Sequence, residues 1–304
     1  MSSSTPGGET RLALAAGVAT NLFWGLMPLA YQLLGRLGVG APEIAAHRAI
    51  WCVPAAALLV LAARQGGQVI QVVSNPRVLR WLVVSGLLIG GNWMLFIYAA
   101  NAGRMLETSL GYYINPLLNM AAGALLFRER LDRLGALAIG LAVVGVALQA
   151  MAIGHVPVVA LVLAASFSAY SVVRKRVAAE AQTGLLVESA IISVAALGYA
   201  GWLAAHGAAR FGTEPTATAW LVACGPLTAI PLALFAWSAR RLPLTIIGFL
   251  QFIAPTITFT IGLAQGEPFT PLRAASFAVI WAGGGVFIFG AWRRTRSVAA
   301  GRAT

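Results

Sequence analysis

The chain has 304 residues, of which 59% are hydrophobic and only 10% are charged, and its formal net charge is +12. Soluble domains carry roughly a quarter charged residues, so this chain has too few to cover a surface that faces water. The composition excludes an ordinary soluble protein and predicts one that is solvated mostly by lipid.

Apolar runs of membrane-spanning length follow one another along nearly the whole chain. A spanning helix needs about 20 mainly apolar residues, and lipid-exposed backbone must satisfy its hydrogen bonds internally, as helices and closed barrels do. The runs are far longer than the roughly ten alternating residues of a barrel strand. We therefore predict an all-α membrane protein with ten transmembrane helices, at residues 11–34, 43–63, 78–101, 107–127, 132–150, 156–173, 185–205, 219–239, 243–264 and 271–292.

The arginines are distributed unevenly between the loops of this ten-helix arrangement. With the N-terminus inside, most of them lie on the inner loops and tails. The outer side then holds Arg36, Arg104, Arg210 and Arg273. Cytoplasmic loops carry such an excess, so both termini are predicted to be cytoplasmic, with a flexible segment at residues 1–10 and a basic tail at residues 293–304. The tail is either a stop-transfer flank or an anchor for anionic lipids. The distribution favours membrane lipids as partners and gives no reason to expect nucleic acid.

The two halves of the chain resemble each other in sequence. Residues 95–100 are similar to residues 234–239, and residues 113–116 are similar to residues 252–255. Glu129 and Glu267, and then Gly145 and Gly285, follow at corresponding places. Several similarities in the same order predict an internal duplication, with one five-helix repeat at residues 11–150 and the other at residues 156–292.

Five helices per repeat is an odd number, so the two repeats are predicted to be inverted relative to each other in the membrane. Inverted repeats are frequent in secondary transporters, whose substrates bind between the repeats near the midplane. A duplicated membrane scaffold without transport is the alternative. Pro116 and Pro255 occupy equivalent places and are predicted helix kinks, which serve either a rocking motion or only the shape of the helices.

The second predicted helix carries polar residues that are unusual within lipid. Glu43, His47 and Trp51 are spaced four apart and share one helical face, and Arg48 lies beside that face. Ionisable groups inside a membrane usually face the protein interior or a water-filled cavity. Arg48 is a candidate for binding an anionic substrate or a carboxylate, for which we expect Glu43 or Glu107, and His47 is a candidate for exchanging a proton. Alternatively, Arg48 extends to the outer headgroups and Glu43 lies on the surface.

Uncharged polar and aromatic side chains form a second set in the other predicted helices. Amides, hydroxyls and rings suit small amphipathic molecules, for which apolar walls supply affinity and a few polar groups set orientation. Their alternative role is hydrogen bonding between helices, with an aromatic belt at the interface. The predicted substrate-binding residues are Trp24, His47, Arg48, Asn92, Trp93, Ser109, Tyr112, Tyr113, Asn115, Tyr170 and Gln251. We predict that the polar faces of the second, third, fourth and ninth helices converge on one cavity.

Motifs of enzymes are missing from the sequence. It has no P-loop, no dinucleotide-binding fingerprint and no metal-ligand cluster, so we expect neither an enzyme nor a cofactor or bound metal. Without an ATP site, uphill transport must draw on an ion gradient or on a partner. A proton is one candidate for the coupling ion. The residues that could carry it are Glu43, His47, Glu107 and Glu188.

Stretches with a family resemblance run through essentially the whole chain. They are His47-Arg48-Ala49-Ile50-Trp51, Gly90-Gly91-Asn92-Trp93, Ser109-Leu110-Gly111-Tyr112-Tyr113-Ile114-Asn115-Pro116, Glu129-Arg130, Val173-Arg174-Lys175, Glu180-Ala181-Gln182-Thr183-Gly184 and Gly248-Phe249-Leu250-Gln251-Phe252-Ile253-Ala254-Pro255-Thr256. They resemble the RarD branch of the EamA-type permeases, in the drug/metabolite transporter superfamily. The resemblance implies two inverted five-helix repeats in the bacterial inner membrane and export of small metabolites or drugs, without defining a substrate.

We therefore expect a secondary transporter, of the exporter type, that moves small organic metabolites or drugs across the plasma membrane by alternating access. A lipid-linked carrier or flippase is one alternative, and a non-transporting membrane sensor or subunit is another.

Overall fold

The structure is a computed structural model that describes residues 6–127, 133–239, 241–242, 246–247 and 250–301. Within those residues the chain forms eleven helices and no strand. The helices are α1 (Pro6–Arg36), α2 (Ala41–Ala62), α3 (Gly66–Val73), α4 (Pro76–Asn101), α5 (Met105–Phe127), α6 (Arg133–Ile153), α7 (Val158–Arg176), α8 (Ala181–Ala205), α9 (Pro215–Ala239), α10 (Ile253–Ala264) and α11 (Pro271–Gly301).

Eight of the described helices are long and apolar enough to cross a membrane, namely α1, α2, α4, α6, α7, α8, α9 and α11. The apolar helix α10 is shorter, with 12 residues. The prediction of an all-α membrane protein is therefore confirmed, while the number of ten spans and their inverted repetition stay predictions. Glu129, Arg130, Gly248 and Phe249, which carry part of the resemblance, lie outside the described residues, as do residues 1–5 and 302–304.

The helix bounds differ from the predicted ones at four places. Helix α1 begins at Pro6 and α11 continues to Gly301, so helical structure extends into both predicted terminal segments. The short helix α3 lies between the second and third predicted spans. Residues 251–252 form a turn inside the predicted span at residues 243–264. Pro255 lacks the N–H that would continue the helical hydrogen bonds back to residue 251, and its ring disfavours an uninterrupted helix there.

Local capping sets both ends of α4. The side chain of Asn75 accepts hydrogen bonds from the backbone N–H groups of Arg77 and Val78, at 3.1 and 3.4 Å, directly before α4. Such caps satisfy the donors that the first turn of a helix leaves without partners. Gly103 follows α4 with a φ of 67°, a backbone conformation that glycine adopts at low cost and that ends a helix.

The chain divides into two compact units, one built from three separate segments and the other from two. Unit 1 comprises Met1–Gly25, Gly103–Ser168 and Ser238–Thr304. Unit 2 comprises Leu26–Ala102 and Ala169–Trp237. Each unit therefore draws helices from both halves of the sequence.

In unit 2, α2 and α8 run antiparallel and are joined at both ends. At the start of α2, the Glu43 carboxylate accepts hydrogen bonds from the backbone N–H groups of residues 210–211, which follow α8. At the other end, the Oγ1 of Thr183 in the first turn of α8 donates to the Oε1 of Gln65, which follows α2, at 3.1 Å. These bonds fix the register of the two helices.

Glycines allow close helix crossings in unit 2. The Cα of Gly225 in α9 lies so close to the backbone of Trp51 in α2 that a Cβ there would overlap the Trp51 carbonyl. Gly86 in α4 approaches the backbone of Glu188 in α8 in the same way, although a Cβ would have ordinary contacts of 3.6 Å there. Small residues at such crossings let the backbones of membrane helices pack directly on each other.

In unit 1, α5 and α10 form an antiparallel pair. The hydroxyl groups of Tyr113 in α5 and Thr256 in α10 are hydrogen-bonded at 2.7 Å. The Glu267 carboxylate, which follows α10, accepts hydrogen bonds from the N–H groups of Met105 and Leu106 at the start of α5. Burial raises the pKa of the Glu267 carboxyl, and the backbone hydrogen bonds that it accepts oppose this rise.

Helices α6 and α11 form a second antiparallel pair in unit 1. The Oγ of Ser276 in α11 donates a hydrogen bond of 2.7 Å to the carbonyl of Gly145 in α6. Further along, Gly283 of α11 packs against the carbonyl of Ala138. The residue numbers rise along one helix as they fall along the other, so the two helices run in opposite directions.

Candidate functional site

Arg48 lies at the centre of a cluster in unit 2 that joins four helices. Its guanidinium carbon is 4.2 Å from the ring centroid of Trp93 in α4 and 5.7 Å from that of Tyr31 in α1. Its Nε donates a hydrogen bond of 3.0 Å to the Oγ1 of Thr228 in α9. The Thr228 hydroxyl in turn donates to the carbonyl of Cys224 at 2.8 Å, which orients its oxygen toward Arg48.

This geometry orients the guanidinium and leaves most of its donors unused. Each ring within about 6 Å attracts the cation, with about 0.5–2 kcal/mol per ring depending on burial. Among the described residues, Thr228 is the single hydrogen-bond acceptor of Arg48. Arginine has five N–H donors in a planar fork, so four remain for a ligand. Because the side chain is only half-buried, those donors can be reached.

All three residues of the predicted face, Glu43, His47 and Trp51, contact Phe211 in the loop after α8. The His47 ring stacks on Phe211 with 4.4 Å between centroids, and the Trp51 ring lies at 6.1 Å. The backbone N–H of Phe211 donates to Glu43. The contacts of these three side chains hold the loop against α2. His47 is only 5% exposed, and its Nδ1 has no hydrogen-bond partner among the described residues.

The expected pairing of Arg48 with a carboxylate is wrong for the described residues. The Glu43 carboxylate instead accepts hydrogen bonds from the backbone of the loop after α8. Glu107 forms an ion pair with Arg104, three residues earlier in the chain, at 2.9 Å. Both rings and the Thr228 hydroxyl take the place of a counter-ion at Arg48, because quadrupoles and a neutral acceptor can hold a weakly hydrated guanidinium.

An apolar groove of unit 2 shares Trp93 with the Arg48 cluster. It has a volume of about 260 Å³ and is bordered by α2, α4 and α8. Its lining residues include Pro42, Ala46, Gly90, Trp93, Ile192 and Tyr199. The indole of Trp93 therefore has the cation near its ring face and forms part of the groove wall. Asn92, the neighbouring predicted residue, is 2% exposed.

The predicted residues of unit 1 are mostly engaged within the unit. Ser109 is buried, and its Oγ donates to the carbonyl of Leu106 in the same helix at 2.8 Å. The Tyr112 ring makes an edge contact with Phe167, with 6.5 Å between centroids. Asn115 is buried, and its Oδ1 has no hydrogen-bond partner among the described residues. Of these residues, Asn115 best fits the prediction of a binding role.

Tyr113 belongs to a packed aromatic cluster of unit 1. It is 2% exposed and contacts the rings of Phe252, Phe277 and Trp281. This arrangement favours a structural role over substrate binding. Gln251 is exposed in the turn before α10, so the structure does not bring it into this cluster.

The two predicted kinks and Trp24 differ in their surroundings. Pro116 lies inside the continuous helix α5, whereas Pro255 lies in the first turn of α10, directly after the turn at residues 251–252. A proline in a first turn removes no hydrogen bond within its own helix, so at the second position the chain is interrupted before the proline. Trp24 is half-buried in α1.

A buried carboxylate cluster in unit 2 contains two residues that the sequence singled out, Tyr170 as a predicted substrate-binding residue and Glu188 as a possible proton carrier. Glu188 in α8 accepts a hydrogen bond of 2.5 Å from the Oγ of Ser85 in α4, and the Tyr170 hydroxyl of α7 donates to it at 3.3 Å. The Nε of Arg174 in α7 lies 3.7 Å from the same carboxylate. The signal in the sequence was Glu188 itself, an ionisable residue inside an apolar span.

Known proteins resemble this chain over most of its length. The sequence profile of the EamA-like transporter family matches residues 11–151. Protein RarD of Escherichia coli strain K12 is 38% identical over 286 residues, which cover 93% of this chain and 96% of that protein. An uncharacterized transporter of Vibrio cholerae is 39% identical over 275 residues, which cover 90% of each.

A solved crystal structure resembles the fold. It superposes with a TM-score of 0.58 and covers 92% of this chain and 97% of the other. At 21% sequence identity this likeness concerns the fold alone.

The apolar helices and the transporter relatives together define a multi-pass bacterial membrane transporter. The chain belongs to the EamA family and is a RarD-like permease within it.

Proposed function

We propose that the protein is a secondary transporter that exports small organic metabolites or drugs across the bacterial inner membrane by alternating access. It uses no catalytic group and no cofactor in this proposal. The proposal is based mainly on the Arg48 cluster. In this cluster, two aromatic rings and the Thr228 hydroxyl orient a cation within a membrane helix, and the guanidinium keeps N–H donors for a ligand. Intramembrane ionisable residues of this kind mark substrate or ion pathways.

The architecture in this proposal is ten spans in two inverted five-helix repeats. Support comes from the antiparallel pairs α2 with α8, α5 with α10 and α6 with α11. Each pair joins a helix of the first predicted repeat to its counterpart in the second, as a two-fold axis between inverted repeats would do. Gly86 and Gly225 also lie nine residues before the similar segments that begin at Leu95 and Leu234. Each packs on a helix of the opposite repeat.

The orientation in this proposal places both termini in the cytoplasm, as the arginine distribution favours. Reporter domains fused after Thr304 and before Met1 should both report the cytoplasm, because ten spans return the chain to its starting side. A fusion in the loop at residues 207–213, after α8, should report the periplasm and serves as the control. A periplasmic signal from either end would contradict the ten-span arrangement.

The substrate site in this proposal is the Arg48 cluster with the adjoining groove. The guanidinium offers a planar fork that suits a carboxylate or another strong acceptor, and the groove, which Trp93 also lines, offers apolar surface. Pockets for small molecules combine apolar walls with a few such polar groups. The substrates are therefore amphipathic, with one acceptor group that binds Arg48.

Arg48→Ala is expected to weaken ligand binding strongly without unfolding the protein. A thermal-shift screen of the purified wild type against amino acids, nucleosides and amphenicol antibiotics supplies the ligand. Loss of a charge-assisted bidentate contact should weaken its binding by at least tenfold, or about 1.4 kcal/mol. Arg48→Lys keeps the charge but lacks the planar fork of donors, so its affinity for the ligand should lie between those of the wild type and Arg48→Ala.

Arg36→Ala is the matched control, because Arg36 is exposed at the end of α1. It should bind the ligand and carry it into proteoliposomes as the wild type does. Unchanged binding and transport by Arg48→Ala would show that Arg48 takes no part in substrate recognition.

A further inference from the structure

The proposed substrate site does not use the carboxylate of Glu188. Glu188 is 1% exposed and lies about 10 Å along α8 from the first residue of the helix, at 1.5 Å per residue. A buried carboxylate is costly unless it is paired or hydrogen-bonded. Its partners come from two other helices, with Ser85 in α4 and Tyr170 and Arg174 in α7.

We propose that Glu188 is a proton-binding site, and that a proton on Glu188 releases its ion pair with Arg174. The separation of 3.7 Å between Nε of Arg174 and Oε1 of Glu188 exceeds ordinary hydrogen-bond distances. The Nη2 of Arg174 instead donates to the carbonyls of Ala179 and Glu180, at 3.3 Å each. Arg174 therefore keeps partners when Glu188 is neutral.

The hydroxyl partners accommodate Glu188 in both protonation states. Toward the ionised carboxylate, the Ser85 and Tyr170 hydroxyls donate hydrogen bonds. Toward the protonated form, one of these hydroxyl oxygens can accept the single carboxylic acid proton while the other hydroxyl continues to donate, because a hydroxyl group is both a donor and an acceptor. The site thus loses one ion pair on protonation and retains its hydrogen bonds.

The surrounding groups identify Glu188 as the one that changes charge. Arg174 and Tyr170 face it from α7, and Cys52 lies within electrostatic range from α2. Ser85 faces it from α4, and α3 carries no titratable side chain in its sequence. Arginine stays charged in proteins, and tyrosine and cysteine are ordinarily neutral at pH 7.

Protonation would remove the ion pair between Arg174 at the end of α7 and Glu188 in α8, while the hydrogen bond between Tyr170 and Glu188 remains. If this proton serves as the coupling ion, that role depends on the proposed transport function. Proton binding by Glu188 does not depend on transport, and it can be measured without any substrate.

Infrared spectra of the purified protein in nanodiscs, recorded from about pH 5 to about pH 9, test the site with the proton itself as the probe. The wild type should gain the C=O band of a protonated carboxylic acid as the pH falls, and Glu188→Gln should lack that change. Glu9→Gln removes an exposed carboxyl that pairs with Arg241 and should leave the change intact. A change that persists in Glu188→Gln, or a wild type with no change in this range, overturns the proposal.

Ser85→Ala provides a second readout that does not depend on the folding of Glu188→Gln. It removes a donor to the ionised form, so the midpoint of the band should move to higher pH. An unmoved midpoint contradicts the assignment to Glu188.

Release of Arg174 is measured by amide hydrogen exchange of residues 177–184 at a pH where wild-type Glu188 is ionised. Glu188→Gln mimics the neutral state, and exchange there should be at least about threefold faster than in the wild type. Equal exchange rates in the wild type and Glu188→Gln would show that Arg174 is not released when Glu188 is neutral.

Discussion

Replacing Gly225 by alanine is expected to destabilise the protein more than any other single methyl group added in unit 2. A Cβ at Gly225 would overlap the backbone carbonyl of Trp51, and backbone atoms of a packed helix cannot move aside as a flexible side chain can. Overpacking of this kind typically costs about 1–3 kcal/mol. The measurement is the unfolding temperature of the purified variant in detergent, together with the yield of monodisperse protein.

Gly198→Ala is the matched control, because Gly198 lies in α8 with no heavy atom within 4 Å of its Cβ position. Alanine has a higher helix propensity than glycine by about 1 kcal/mol, so this variant should be at least as stable as the wild type. Gly86→Ala should be tolerated better than Gly225→Ala, since its nearest contacts would be at 3.6 Å. Equal unfolding temperatures for all three variants would contradict the close crossing at Gly225.

Glu43→Ala should strongly destabilise the loop after α8 and with it unit 2. One carboxylate oxygen accepts both N–H groups, from Arg210 at 2.8 Å and from Phe211 at 3.1 Å. Its loss leaves two part-buried donors without their acceptor, at about 1–3 kcal/mol for each buried group. Thermal unfolding measures the total, and hydrogen exchange at residues 210–211 localises it.

Glu43→Gln separates the hydrogen bonds from the charge. The amide oxygen can occupy the position of the single accepting oxygen, and a neutral acceptor is roughly half as strong as an ionised one. Glu43→Gln should therefore lose less stability than Glu43→Ala. Glu9→Ala, which removes an exposed partner of Arg241, should change stability by about 1 kcal/mol or less. If Glu43→Ala is as stable as Glu9→Ala, the carboxylate does not hold the loop.

The sequence predicted the helices because their signal is local. Long apolar runs define membrane helices whatever their neighbours are, and the spacing of Glu43, His47 and Trp51 indicated one helical face. The structure shows that Phe211 meets this face. Phe211 could not be predicted as its partner, because it is more than 150 residues away and has no polar group to suggest a pairing.

The Arg48 pairing was predicted incorrectly for a related reason. Charge alone suggested a carboxylate, but the structure uses the Thr228 hydroxyl, 180 residues further along the chain, and two aromatic rings. Glu188 was recognisable as an ionisable residue in an apolar helix. Its partner Ser85 was not, since a serine in a membrane helix commonly bonds to its own backbone.

The bonds at both ends of α2 and α8 limit how these helices can move in a working cycle. A slide by one helical turn, about 5.4 Å, would break the bonds to Glu43 and to Gln65 at the same time. A rearrangement that keeps these bonds must therefore move α2 and α8 together. Since each of them comes from a different half of the sequence, a motion that separated the two halves of the chain would have to break these bonds.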